Sequence, residues 1–412
     1  MTHLFSKLSL YNSARYPANA ARPLLEIHVL QPRQVFTLAA ATALAPVAID
    51  LYLPSSVGMA RELGVDAGAA GLAVSVFLFG LAAGQLVIGP LSDRVGRRPT
   101  ILGGLACFIL AAGVASQANS LPVLLTARLF QALGACSVLL SSRAMVSDRL
   151  DPPSAARLFS MLSLIGGAAP VLAPIIGALL AELGGWRACF FFMAVFGFTV
   201  LTAATVLLPE SRSAETSAAA RSESPVEAYL TLLKNREFQL YLIAGGANGA
   251  AFFTYLGNSA SVFQDVYGVS PFAFSIMVAL NAGALVWANQ INRRLLKQHS
   301  LLAVLRMSGR NAGLLAAAFA LMALSGVTAL PLLLGLVFLM VGSVAPVQAN
   351  TLASVMGIGR ARAGSAGALL GAAIFALGAL ASSIAGYFYD HTARPLTLVT
   401  AVFLAITSLA LG

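Results

Sequence analysis

From about Phe36 to the C-terminus, apolar runs of about twenty residues follow one another with only short polar breaks between them. A helix needs roughly 20 apolar residues to cross a bilayer. Only helices or closed barrels satisfy their backbone hydrogen bonds inside hydrocarbon. The pattern therefore predicts an all-α membrane protein with twelve spans, near residues 35–55, 69–91, 99–117, 121–143, 156–181, 187–208, 238–262, 271–292, 301–325, 328–349, 363–386 and 394–411.

One long polar stretch, Pro209 to Glu237, divides the spans six and six. The expected organisation is an N-terminal extension over 1–34, a six-helix bundle over 35–208, a linker over 209–237 and a second six-helix bundle over 238–412. An internal repeat supports the division. Gly84 to Arg94 aligns without gaps on Gly283 to Arg293, and both copies sit where the second span of a half leaves the membrane. If the N-terminus starts inside, all but four of the 25 lysines and arginines fall in inside segments or at their edges. The exceptions are Arg61, Arg187 and Arg394 outside and Arg128 within the membrane. That asymmetry orients the chain with both termini in the cytoplasm.

Only 10% of the residues are charged and 58% are hydrophobic, so the formal charge of +10 reflects topology. The basic residues gather in no stripe or tail, which excludes a nucleic-acid partner. Cys107, Cys136 and Cys189 lie singly in apolar runs and read as packing residues. His3, His28, His299 and His391 are scattered over solvated or terminal positions, so no zinc or haem site is expected. No phosphate-binding loop and no catalytic cluster appears, so neither ATP hydrolysis nor membrane-enzyme chemistry is expected. Residues 1–34, with no acid before Glu26, read as a disordered cytoplasmic extension; an organelle transit segment is the alternative.

Two charges lie where hydrocarbon penalises them. Asp50 lies inside the first span in Ile49-Asp50-Leu51-Tyr52-Leu53-Pro54, roughly 10 Å below its outer end, and Thr42, Pro46 and Asp50 recur every four residues along one face. Arg128 lies in the fourth span, three residues before Gln131, at about the depth of Asp50. A neighbouring arginine favours ionised Asp50, and exclusion of water favours the protonated form, so Asp50 can carry a proton coupled to shape. On this reading Arg128 is its conformation-dependent partner. The alternatives are an Asp50 satisfied by a neighbouring helix and an Arg128 that caps carbonyls of a broken helix. Between spans two and three, Gly89-Pro-Leu-Ser-Asp93-Arg94-Val-Gly96-Arg97-Arg98-Pro99 offers an acid, a glycine turn and a basic cluster, suited to contacts made in one conformation and broken in another. Span seven presents Asn248, Phe252, Tyr255 and Ser259 on one face, a polar and aromatic stripe suited to an amphipathic ligand or to helix packing. Tyr52, Gln131, Asn258 and Asn281 are further candidates on the same grounds.

The segment Gly89 to Pro99 resembles the signature loop of the major facilitator superfamily, and Arg128 to Gly134 resembles its fourth-span motif. With Ile49 to Pro54, Arg143-Ala144-Met-Val-Ser-Asp148, Gly185-Trp186-Arg187-Ala188 and Tyr255 to Asn281, the chain resembles the Bcr/CflA subfamily of drug and proton antiporters. The resemblance implies a monomeric transporter in a bacterial inner membrane. It would export compounds such as chloramphenicol or bicyclomycin, with a proton gradient as its energy source and no cofactor. Span five, Ala169-Pro170 to Gly177-Ala178, is similar to the antiporters' Gly- and Pro-rich element, with alanine at several glycine positions. Some drug-exporting relatives carry a second acid where this chain has Thr42, which argues against multiply charged cations and multi-proton exchange. A transporter of a specific metabolite and a non-transporting sensor are the competing readings.

Overall fold

A computed structural model describes residues 30–150, 152–212, 224–326, 329–359 and 362–412. Most of the expected N-terminal extension and the middle of the linker lie outside the described residues. Thirteen α-helices follow in chain order. In the first half they are α1 Pro32–Asp50, α2 Ser56–Glu62, α3 Ala70–Val95, α4 Arg97–Ser116, α5 Leu121–Arg149 and α6 Pro152–Leu207. In the second half they are α7 Pro225–Leu233, α8 Arg236–Ala260, α9 Pro271–Gln298, α10 Leu301–Ser325, α11 Leu330–Ile358, α12 Ala363–Tyr387 and α13 Arg394–Leu411.

Eleven of these, all but the short α2 and α7, make the twelve crossings, because α6 folds back on itself. Gly184 leaves the helical region at φ −155°, ψ 24° and Gly185 takes φ 66°, so the chain turns between spans five and six. The fold is thus all-helical, with twelve transmembrane helices in two six-helix bundles. Helix ends follow local chemistry. Ser270 and Ser300 accept from the backbone N–H groups of Ala273 and Ala303 at the starts of α9 and α10, and Asn235 does the same for α8 at 3.0 Å. Leu110, Phe198, Leu314 and Leu409 stand exposed on the outside, as a lipid-facing surface requires.

Among the described residues, ten stretches are long and apolar enough to cross a membrane by composition. The turn at Gly185 divides one of them, and α8 falls short because it carries Asn248, Thr254, Asn258 and Ser259. Those side chains are all buried, so the least apolar span is an interior one shielded from lipid.

The end of the molecule at Gly96 is here called the loop face, and the end at Gly185 the far face. On the far face the halves touch. Ser261 donates to Ala67 O at 2.6 Å, and Gln264 donates to Pro54 O at 3.0 Å. Gly177 of α6 lies so close beneath Leu51 O that any Cβ there would collide with that carbonyl, which fixes span five against the end of α1.

Candidate functional site

Pro46 interrupts α1, which ends at Asp50; the chain continues through a 3-10 turn at Leu53–Ser55. Thr42, Pro46 and Asp50, on one face as their spacing predicts, line a cavity of about 420 Å³ between the bundles. The facing wall is Phe252 and Tyr255 of α8, Asn281 of α9 and Phe375 of α12. Asn281 donates to the Tyr255 hydroxyl at 2.7 Å, which fixes the one phenol in the wall. The space lies within the range for small-molecule sites, apolar over most of its surface with a few polar groups. Asp50 is 4% exposed and makes no hydrogen bond or ion pair among the described residues.

Arg128 is fully buried beside it but turned elsewhere. Its Nη1 donates to Ala48 O at 3.0 Å and to Gln131 Oε1 at 2.7 Å, and its Nε donates to Ala73 O at 3.2 Å. The guanidinium lies 4.2 Å from the Phe77 ring centre and 4.8 Å from that of Tyr52. In this conformation the expected Asp50–Arg128 ion pair is absent. Ala48 O belongs to the last turn of α1, where carbonyls lose their helical partners, so Arg128 holds the stretch of backbone that carries Asp50.

At the loop face α3 runs on through Pro90 to Val95, so Gly89 sits inside a helix and not in a loop as the sequence suggested. The connection is Gly96 alone, at φ 123°. Arg97, 5% exposed, bonds the Asp93 carboxylate, Asp148 Oδ2 at 3.0 Å and Ser92 Oγ at 3.2 Å. Arg98 donates to Thr205 O, and Arg94 offers its carbonyl to Arg212.

The sequence profile described as Major Facilitator Superfamily matches residues 38–383. The chain belongs to this superfamily. The facilitator is 31% identical over 380 residues to the uncharacterized MFS-type transporter YdgK of Bacillus subtilis, covering 91% of this chain and 93% of the relative. It is 28% identical over 377 residues to the bicyclomycin resistance protein homolog of Haemophilus influenzae, covering 91% and 94%. Among solved structures it resembles the D-xylose–proton symporter with a TM-score of 0.70 at 15% identity, over 92% and 96% of the two chains.

The facilitator's cavity takes up Asp50, Phe252, Tyr255 and Asn281 among the residues singled out from the sequence. The other candidates lie outside its lining. Gln131 is held by Arg128, and Tyr52 forms the aromatic wall around that arginine. Asn258 donates to Ser382 O at 3.1 Å, joining α8 to α12, and Ser259 bonds back to Leu256 O. The side chain of Asn248 is fully buried with neither polar atom partnered. The polar stripe of span seven therefore splits, because the helix has neighbours on most sides and only part of its circumference meets the cavity.

Three groups escaped sequence reasoning. Glu210, just past α6, accepts from Arg97 N at 3.0 Å and from Arg98 N at 3.2 Å, capping α4. Burial pushes its carboxyl up, but the backbone N–H groups of Arg212, Arg97, Ser211 and Arg98 outweigh this and hold it below the usual range. Glu210→Ala is expected to lower stability by about 1 kcal/mol, as for loss of a helix cap, read as a downward shift in thermal unfolding. An unchanged transition would show the cap to be idle. The second is the role of Asp148, which the sequence offered only inside a resembling motif and which here shares Arg97. The third is the far-face cluster. His391 Nδ1 lies 2.9 Å from Asp265 Oδ2 and its Nε2 lies 3.5 Å from Asp66 Oδ2, so the ring stands between carboxylates of the two halves. Tyr389 also donates to Asp265 at 2.8 Å.

The hydrogen bond to Asp265, with the charges of Asp265, Asp66 and Asp390, raises the His391 pKa above its ordinary value. The bridge is then complete below the free-imidazole value of about 6.5 and weakens as pH rises through the raised one. Spin labels on the far-face ends of the two halves are expected to report a growing separated population as pH rises above the free-imidazole value of about 6.5. His391→Gln should flatten that response. A profile unaltered by this substitution would take His391 out of the response.

Proposed function

We propose that this transporter exports small amphipathic compounds from a bacterial cytoplasm in exchange for protons, with the loop face and both termini inside. The observation that carries the reading is an unpaired carboxylate, Asp50, lining an aromatic cavity between two helical bundles. A carboxylate left without partners inside a membrane protein is costly to charge, and proton uptake removes that cost. Alternating access supplies the cycle. Asp50 takes a proton from outside when the bundles open outward, substrate leaves there, and the proton is lost inward when they reverse. The far-face contacts and the run of the cavity toward the loop face support assigning this conformation to the inward-directed stage.

The Asp93–Arg97–Asp148 cluster is the proposed latch of the first bundle, joining α3, α4 and α5 at the surface that must shift during reversal. Residues 35–208 and 238–412 are the moving bundles and 209–237 the tether. The drug reading draws on the relative named for bicyclomycin resistance.

The test is uptake of bicyclomycin or chloramphenicol into proteoliposomes under an imposed pH gradient. Accumulation that collapses with a protonophore is the expected result. Movement that ignores the gradient would remove proton coupling, and movement of neither drug would remove this substrate class.

A further inference from the structure

Among the described residues the cavity is lined by one charged side chain besides Asp50: Arg143 of α5. Among the described residues it makes no hydrogen bond and no ion pair. A basic residue near a helix end is ordinarily a membrane-interface anchor, but the geometry here favours another role. Arg128 touches the end of α1, and Arg143 lies fifteen residues further along α5, about 22 Å toward the loop face. Helical side chains lean toward the N-terminus of their own helix, and the N-terminus of α5 is at the far face. That lean favours the cavity over the interface, and Arg143, although exposed, lines the cavity beside Leu139, Phe159 and Leu162.

We infer that Arg143 is an anion subsite: the facilitator's preferred cargo is an amphipath with a single oxyanion, such as a carboxylate or an acidic sulfonyl group, whose apolar body lies against Phe252, Phe375 and Tyr255. Three features converge on this class. A guanidinium without a partner in apolar surroundings gains from a planar oxyanion that it can grip with two parallel hydrogen bonds. The wall between the two charges is aromatic and aliphatic, with Thr42 and Asn281 as its neutral polar groups. Among the described lining residues the one acid, Asp50, sits at the opposite end, so an anionic head held at Arg143 stays clear of it. The same layout disfavours cations, which meet Arg143 at the mouth before they reach Asp50. This inference rests on the cavity being the transport site.

The test uses the full chain in nanodiscs and a matched fluorescent pair, dansylglycine and its methyl ester, which differ by one negative charge. Wild type is expected to bind the acid about tenfold more tightly than the ester, the worth of one charge-assisted contact. Arg143→Gln should erase that preference and Arg143→Lys restore part of it, with thermal unfolding measured on each to confirm folding. An acid-to-ester ratio near one in wild type, or one that Arg143→Gln leaves intact, overturns the proposal. If the variants fold poorly, competition of dansylglycine by short-chain carboxylates against their amides on wild type decides the matter, and equal competition overturns it. Proton-driven flux is scored separately: charge-selective binding without gradient-driven movement would sink the exporter reading and leave the subsite standing.

Discussion

Asp50→Asn is expected to reduce pH-gradient-driven drug accumulation at least ~100-fold while the protein stays folded. Asparagine keeps the size and polarity of the side chain but cannot take up and release a proton. Because Asp50 has no hydrogen-bonded or ionic partner, the exchange orphans nothing, so thermal unfolding should move by only about 2 °C. Binding of substrate in the absence of a gradient should survive. Everted vesicles carrying wild type or the variant, driven by the same imposed gradient, give the measurement. Gradient-driven accumulation retained in the variant would take Asp50 out of the coupling scheme altogether.

Arg128→Ala is expected to act in the opposite sense, through stability first. The side chain is fully buried, donates to Ala48 O, Ala73 O and Gln131 Oε1, and fills the space between Tyr52 and Phe77. Truncation leaves two carbonyls and an amide oxygen without this donor and opens a void, mechanisms that together cost about 3–5 kcal/mol. Lysine can satisfy one acceptor at a time and lacks the flat face that stacks on the rings, so Arg128→Lys should recover only part of the loss. The readout is the thermal transition in detergent: a fall on the order of 10 °C for alanine, with lysine between. The two roles read from the sequence separate here. A variant as stable as wild type yet inactive would mean that the guanidinium serves the proton chemistry directly and not the shape of α1.

The spans, their division six and six, and the interior charges were legible because each has a local cause. Hydrocarbon demands runs of fixed length, and a carboxylate such as Asp50 inside one stands out against them. The tight connection at Gly96 was legible as a glycine turn, although its extent was not: α3 continues through Pro90, since a proline's missing hydrogen bond does not end a helix held on several sides. What stayed hidden depends on which way a helix is rotated. Asn258 and Tyr255 are three residues apart, yet one joins α12 and the other faces the cavity. Arg143 looked like one more edge-of-span arginine until the lining of the cavity showed its direction. The far-face cluster gathers Asp66, Asp265, Tyr389 and His391 from distant parts of the chain, and no local pattern announces such a meeting.

The repeat that pairs Asp93 with Asn292 carries one more implication. Where the first bundle ties α3 to α5 through Asp93, Arg97 and Asp148, the second ties α9 to α11 by two reciprocal amide contacts, Asn292 with Asn350 at 2.9 and 3.3 Å. Amides carry no charge and attract no counterions, so salt can loosen one clasp and leave its twin untouched. At the loop face a symmetric machine would meet ionic strength with the same clasp in both halves; this one sets a charged clasp that salt can weaken opposite a neutral one that salt leaves alone.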